Sequence, residues 1–142
     1  MTDLQVVYDA FLSKILDDEW ENWTEEEIQE DLYSLLGAAT TWFKFPRVSL
    51  EFSTEGFEDD LTNEEIQILA TYMKCEWLNR NILTWENVKP LYEERDFSQA
   101  NLLDKFNAML DAEKKNARRL EANYYRSVNK KPFAYRNLAK QK

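Results

Sequence analysis

The stretch FSQANLLDKFNAMLDAEKKNARRLEANYYRSV, residues 97–128, lies in the longest run of the chain free of glycine and proline. Its apolar positions Leu103, Phe106, Leu110, Ala117, Leu120 and Tyr124 follow three- and four-residue steps, with Glu113 as the one break in the seam. That spacing predicts one long helix with a continuous inward stripe. Its first half is expected to pack against the rest of the domain. Its last turns become basic and run into NKKPFAYRNLAKQK (129–142), which has too few apolar residues to fold alone.

Upstream of this stretch the same period recurs. Asp3 is a fair N-cap, and Leu4, Val7, Tyr8, Phe11, Leu12, Ile15 and Leu16 mark a first helical stripe. The acidic, aromatic linker DDEWENW (17–23) follows, with Trp20 and Trp23 expected to cover the edge of the core. Thr24 with Glu27 reads as a capping box, because hydroxyl and carboxylate together satisfy donors that a first helical turn leaves open. Ile28, Leu32, Leu35, Leu36, Ala39 and Phe43 form the buried face of that second helix. Pro46 is expected to end it, since a residue before proline avoids helical geometry.

Between Arg47 and Asp60 the period changes to two. Val48, Leu50 and Phe52 alternate with polar residues, Thr54-Glu55-Gly56 can turn, and Phe57 to Leu61 can pair back. This predicts a short β-hairpin or extended arm. A lone two-stranded hairpin is marginal by itself, so completion by a neighbouring chain is expected, with Val48, Leu50, Phe52 and Phe57 as the contacts.

Thr62 with Glu65 is a second capping box. It opens a helix so apolar around Ile66, Leu69, Met73, Cys75, Trp77 and Leu78 that it belongs at the centre of a bundle, with Asn79, Arg80 and Asn81 at its exit. A separate short segment, Thr84 to Tyr92, is expected around Pro90, with Trp85, Val88 and Leu91 facing inward. Asp96 or Ser98 would then cap the long helix. The resulting class is mainly α: a bundle of about four helices over 1–128, with a hairpin or arm near 47–60, and an extended basic arm over 129–142.

Composition agrees with that class. The chain has 142 residues, 44% hydrophobic, enough to bury roughly two thirds of its extended surface. Two glycines and three prolines leave few turns, which disfavours a sandwich or barrel. Cys75 is the only cysteine and reads as a buried thiol. No run of apolar residues is long enough for a membrane span, and the acidic, amphipathic N-terminus does not read as a signal peptide.

Chemistry-bearing motifs are scarce. There is no histidine, so the commonest general base and metal ligand is absent. No phosphate-cradling glycine loop, nucleophile elbow or paired-cysteine motif occurs. The clusters Asp17-Asp18-Glu19-Glu21, Glu25-Glu26-Glu27-Glu30-Asp31 and Glu58-Asp59-Asp60 are accounted for as helix starts, solvated faces and a charged turn. The reading is therefore no enzyme, no metal and no cofactor.

The net charge of −9 conceals a gradient. Residues 1–65 carry 18 acids and 3 bases, net −15, while residues 114–142 carry 10 bases and 1 acid, net +9. Two such molecules set head to tail bring unlike ends together. The basic end also mixes in aromatics: Tyr124, Tyr125, Arg126, Lys130, Lys131, Phe133, Tyr135, Arg136 and Lys140 read as anchors that order on docking to a larger protein. Two alternatives are a frayed terminus and a nucleic-acid contact, the latter belonging to a small soluble regulatory protein. Bulk acidity speaks against nucleic acid.

The order TWFKFPRVSLEF (41–52), LTNEEIQILATYMKCEWLNRNI (61–82), ERDFSQANLLDKFNAMLDAE (94–113) and a helix ending in YYRS (124–127) before a basic tail resembles the small helical head-to-tail connector (adaptor, or neck) proteins of tailed bacteriophages. The resemblance implies a virion structural protein, made in the host cytoplasm, whose copies form a ring, twelve in number, below the portal protein. That ring would close the filled capsid and receive a downstream neck or tail protein. It further implies that an arm matching Asn129 to Lys142 reaches the portal and that the 47–60 segment reaches a neighbour. No membrane and no sequence-specific nucleic acid is implied as a partner.

Overall fold

The computed structural model describes residues 1–15, 23–88 and 96–129, with side chains for all of these but 85–88, 96–102 and 127–129. Its elements run α1 (Leu4–Leu12), α2 (Glu25–Trp42), β1 (Phe52–Ser53), β2 (Gly56–Phe57), α3 (Asn63–Val88) and α4 (Asp96–Asn129). The mainly helical class, the hairpin between the second and third helices and the long last helix match the sequence reading.

Helix α3 is the axis, and α1, α2 and α4 each pack against it. The cause is its composition: Ile68, Leu69, Ala70, Met73 and Leu78 are at most 1% exposed, and Tyr72, Cys75 and Trp77 are also buried. A helix apolar on every side must be covered on every side. Truncating one of these side chains to alanine costs about 2–5 kcal/mol. Cross-contacts set the directions. Trp42 stacks on Tyr72 and Arg80 pairs with Asp31, so α2 and α3 are antiparallel. Tyr124 reaches Glu65 and Glu113 reaches Lys74, so α3 and α4 are antiparallel too.

Both capping boxes are present. Thr24 and Glu27 exchange bonds of 2.8 and 3.2 Å, and Thr62 and Glu65 exchange bonds of 2.7 and 3.3 Å. The long stripe of α4 is seated as expected: Leu110, Ala117 and Tyr124 are buried, and Leu103, Phe106 and Leu120 pack against the core. Glu113, the break in that stripe, is held by Lys74 Nζ at 3.0 Å. On α1, Ile15 is buried beyond the helix end at Leu12.

Four boundaries differ from the sequence reading. Helix α1 stops at Leu12, short of Ile15 in its expected stripe. Helix α2 ends at Trp42, before the proline-dictated limit, because Phe43 turns extended (φ −81°, ψ 103°) and drives its ring edge-on against Tyr124 at 5.3 Å. Helix α3 does not exit at Asn79–Asn81 but continues to Val88, absorbing the start of the expected short segment. Asn81 and Thr84 bond back to the carbonyls of Trp77 and Arg80, and Ile82 extends the buried face, so nothing there breaks the helix. Asp96 and Ser98, expected as caps, both fall within α4. Leu16, Trp20, Pro90, Leu91 and Tyr92 lie outside the described residues, as do the side chains of Trp85 and Val88. Trp23, expected against the core, is 39% exposed.

The hairpin is completed from within. Strand β1 pairs antiparallel with β2, Phe52 opposite Phe57 and Ser53 opposite Gly56. The next acceptor comes from the chain's own Thr2, whose carbonyl takes the Phe57 N–H at 2.9 Å and whose hydroxyl takes that of Leu61 at 2.8 Å. Gly56 makes this possible: its φ is +134°, and a Cβ there would stand 2.8 Å from the Thr2 carbonyl oxygen. Phe57 is fully buried in its own core, which corrects its assignment as a neighbour contact. Phe52 is half-buried, its ring 4.9 Å from that of Tyr33, and Val48 and Leu50 are half-buried.

Candidate functional site

The C-terminal half of α4 places Tyr124 and Tyr125 side by side, and both turn toward the chain itself. Tyr124 is fully buried; its phenol donates to Glu65 Oε2 at 2.5 Å and accepts the Arg47 backbone N–H at 2.7 Å. Glu65 has no exposure, and its other oxygen caps α3 through the Thr62 N–H. The Arg47 guanidinium lies 4.8 Å above the Tyr124 ring, a cation–π contact. Tyr125 accepts the Phe45 N–H at 3.2 Å and donates to Glu121. Glu121, only 7% exposed, takes the Tyr72 phenol on its second oxygen.

These phenols titrate late. Burial, followed by the bond to Glu121, pushes Tyr125 up to about 12, and the same causes raise Tyr72 further. Burial and the bond to Glu65 raise Tyr124. All three stay protonated as donors through neutral pH. The expectation that Tyr124 anchors a partner is therefore corrected, since Tyr124 is enclosed; Tyr125 is half-buried, its hydroxyl both accepting and donating, and it lines the groove beside Trp42. Together they lash the 43–47 segment to α3 and α4. Arg126 is exposed and bonds Asn123. Lys130, Lys131, Phe133, Tyr135, Arg136 and Lys140 lie outside the described residues.

The lashing produces a surface the sequence reading missed. With the 43–47 segment pinned, Trp42 (41% exposed) stacks on Tyr72 with ring centroids 6.0 Å apart and planes at 16°, and Phe45 stands 71% exposed beside Tyr125. A groove opens here between α2 and α4 with α3 as its floor, and Lys44, Lys114 and Arg118 line it together with Glu76 and Glu121. The exposed cations Arg47, Lys115, Arg119 and Arg126 extend the basic surface. One signal was legible: Glu121 is the single acid among residues 114–142, and an acid kept in such a run has a task. Trp42 and Phe45 carried none, because their exposure follows from tyrosines some 80 positions away.

Elsewhere the thiol and several acids have local roles, and the buried Trp77 indole nitrogen has no hydrogen-bond partner among the described residues. Cys75 is 4% exposed, and burial pushes its thiol up to about 11, far from a reactive thiolate. Asp59 accepts the Ser49 N–H at 2.8 Å, and Glu27 serves its capping box. Among the described residues no group of three metal-ligating side chains stands together, and no helix is long and apolar enough to cross a membrane. Comparison of the chain with protein-family models, curated proteins and solved structures finds no match.

Proposed function

We propose that this chain is a joining subunit of a tailed-phage particle, a connector that assembles as a ring on the portal and links the filled capsid to the tail. Beyond the resemblance in the 41–52, 61–82 and 94–127 phrases, one observation supports the reading: the chain presents an exposed basic, aromatic surface (Phe45, Arg47, Lys115, Arg119, Arg126) apart from the acidic first turns of α2. The acidic first turns of α2 stand where Asp31 meets Arg80. The basic turns of α4, with Lys44 and Arg47, stand where Tyr124 meets Glu65. Along α3 these levels are 15 residues apart, about 22 Å. A body with unlike charged patches favours a heterologous contact, and a heterologous contact whose rotation closes makes a ring.

The basic residues beyond α4, Lys130 to Lys140, are the segment assigned to the portal. The test is co-purification with the portal protein of the same genome. The full chain is expected to form a stable complex with it, and deletion of residues 130–142 to abolish docking while leaving helix content and melting of the body unchanged. A full chain that ignores the portal overturns the connector reading, and a truncated chain that docks as well as the full one overturns the assignment of the arm.

A further inference from the structure

We infer that the recess between α1, α2 and the hairpin is a binding site for a cation on an aliphatic stem, a guanidinium or an ammonium. The inference does not depend on the joining role. The recess holds about 300 Å³ and is lined by Leu4 and Tyr8 of α1, Gln29, Glu30 and Tyr33 of α2, and Thr54 of the hairpin turn. One turn of spacing puts Leu4 and Tyr8 on one face of their helix, and Gln29, Glu30 and Tyr33 on one face of theirs. The depth is apolar and aromatic: Leu4 is 8% exposed, Tyr8 is 2% exposed, and the half-buried Tyr33 ring is held edge-on by Phe52 of the hairpin. The rim is polar, since Gln29, Glu30 and Thr54 are exposed. A well of that build is the usual form of a small-ligand site.

Its hydrogen-bonding capacity is unspent. The phenols of Tyr72, Tyr124 and Tyr125 each donate to a carboxylate of this chain. Those of Tyr8 and Tyr33 do not, and the side chains of Gln29, Glu30 and Thr54 have no hydrogen-bond partner among the described residues either. Unpaired groups on a rim are solvated, but a phenol on a residue 2% exposed is ordinarily bonded. The Tyr8 oxygen is not sealed in the core, because the Trp77 indole nitrogen is the one enclosed side-chain polar atom left unpaired among the described residues. The phenol therefore meets the recess. Charge selects the ligand. Glu30 carries the only charge on the lining, exposed Glu26 stands one turn before it, and exposed Glu55 follows Thr54, so an anion is repelled. A cation gains the Glu30 carboxylate, the faces of two aromatic rings and phenol oxygens as acceptors, while its stem lies on Leu4. Burial, then neighbouring Tyr33, pushes Tyr8 up to about 12, which keeps it a neutral phenol at neutral pH.

The test titrates the full chain with the blocked tripeptide acetyl-Gly-Arg-Gly-amide and its lysine counterpart, and follows the ring resonances of Tyr8 and Tyr33. Saturable shifts of both rings are expected at millimolar concentrations. The citrulline counterpart, which keeps the shape and drops the charge, is expected to bind about fivefold more weakly, and the glutamate counterpart not to bind. Tyr8→Phe removes only an unpaired oxygen, so the melting temperature is expected to hold while arginine affinity falls about fivefold. Glu30→Gln changes an exposed rim residue and is expected to weaken binding about threefold, the scale of an exposed ion pair, which keeps the inference falsifiable if Tyr8→Phe misfolds. Agmatine, a free guanidinium, assigns the source: binding equal to the tripeptide supports a small amine ligand, and tighter binding of the tripeptide supports a side chain of another protein. Rings that stay unmoved by both cationic peptides, a citrulline or glutamate peptide that binds as tightly as the arginine one, or Glu30→Gln binding like wild type, overturns the inference.

Discussion

Tyr124→Phe removes one oxygen and leaves two groups stranded. Glu65, with no exposure, loses the phenol donor, and the Arg47 N–H loses its acceptor. Leaving a buried charged acceptor short of a partner costs about 2–3 kcal/mol, which chemical denaturation should show. Tyr125→Phe should cost less, since that ring is only half-buried, yet should free Phe45 and blunt any binding at the groove. The raised thiol and phenols also fix the alkaline limit. Cys75 ordinarily ionises near 9.0 and here near 11; Tyr8 and Tyr125 ordinarily ionise near 10.0 and here near 12. Between those values the unfolded chain gives up protons that the folded chain keeps, so stability falls as pH rises, by about 1.4 kcal/mol per pH unit for each such group. Melting temperature should therefore be flat approaching pH 9 and drop above it. A rise across that window would contradict the burial that raises these groups.

At the scale of elements, the hairpin hangs on one glycine. Gly56→Ala forces a side chain into a left-handed conformation and against the Thr2 carbonyl, and should cost about 2 kcal/mol in a thermal melt. The α3–α4 seam makes a different prediction. Lys74 and Glu113 form a half-buried pair, with side chains 16% and 21% exposed, so Lys74→Met alone should destabilise more than the double change with Glu113→Leu, which removes both charges together. The capping boxes, the α4 stripe and the central place of α3 were legible because each is a local pattern of three or four residues. The end of α2 was not, because Phe43 leaves the helix to meet Tyr124, and no local signal reports a partner 81 positions away. Nor was the length of α3: Asn79-Arg80-Asn81 reads as an exit until Arg80 is seen bonding Asp31 on α2. The tyrosine pair shows the same limit. Tyr124 belonged both to the inward stripe and to an aromatic, basic terminus, and the buried acceptor Glu65 decides for the stripe.

Across the whole molecule, the proposed joining role draws on the exposed Trp42 and Phe45 and on the basic surface beside them. On that proposal, salt should loosen charged contacts to a partner, while the apolar core around α3 keeps the subunit itself folded. The joining role is tested most directly by cryo-microscopy of the chain mixed with the portal protein of the same genome. The account predicts a ring of helical density seated on the portal, with α4 and its basic end facing a partner. A portal left bare at saturating concentrations of a folded chain would contradict it.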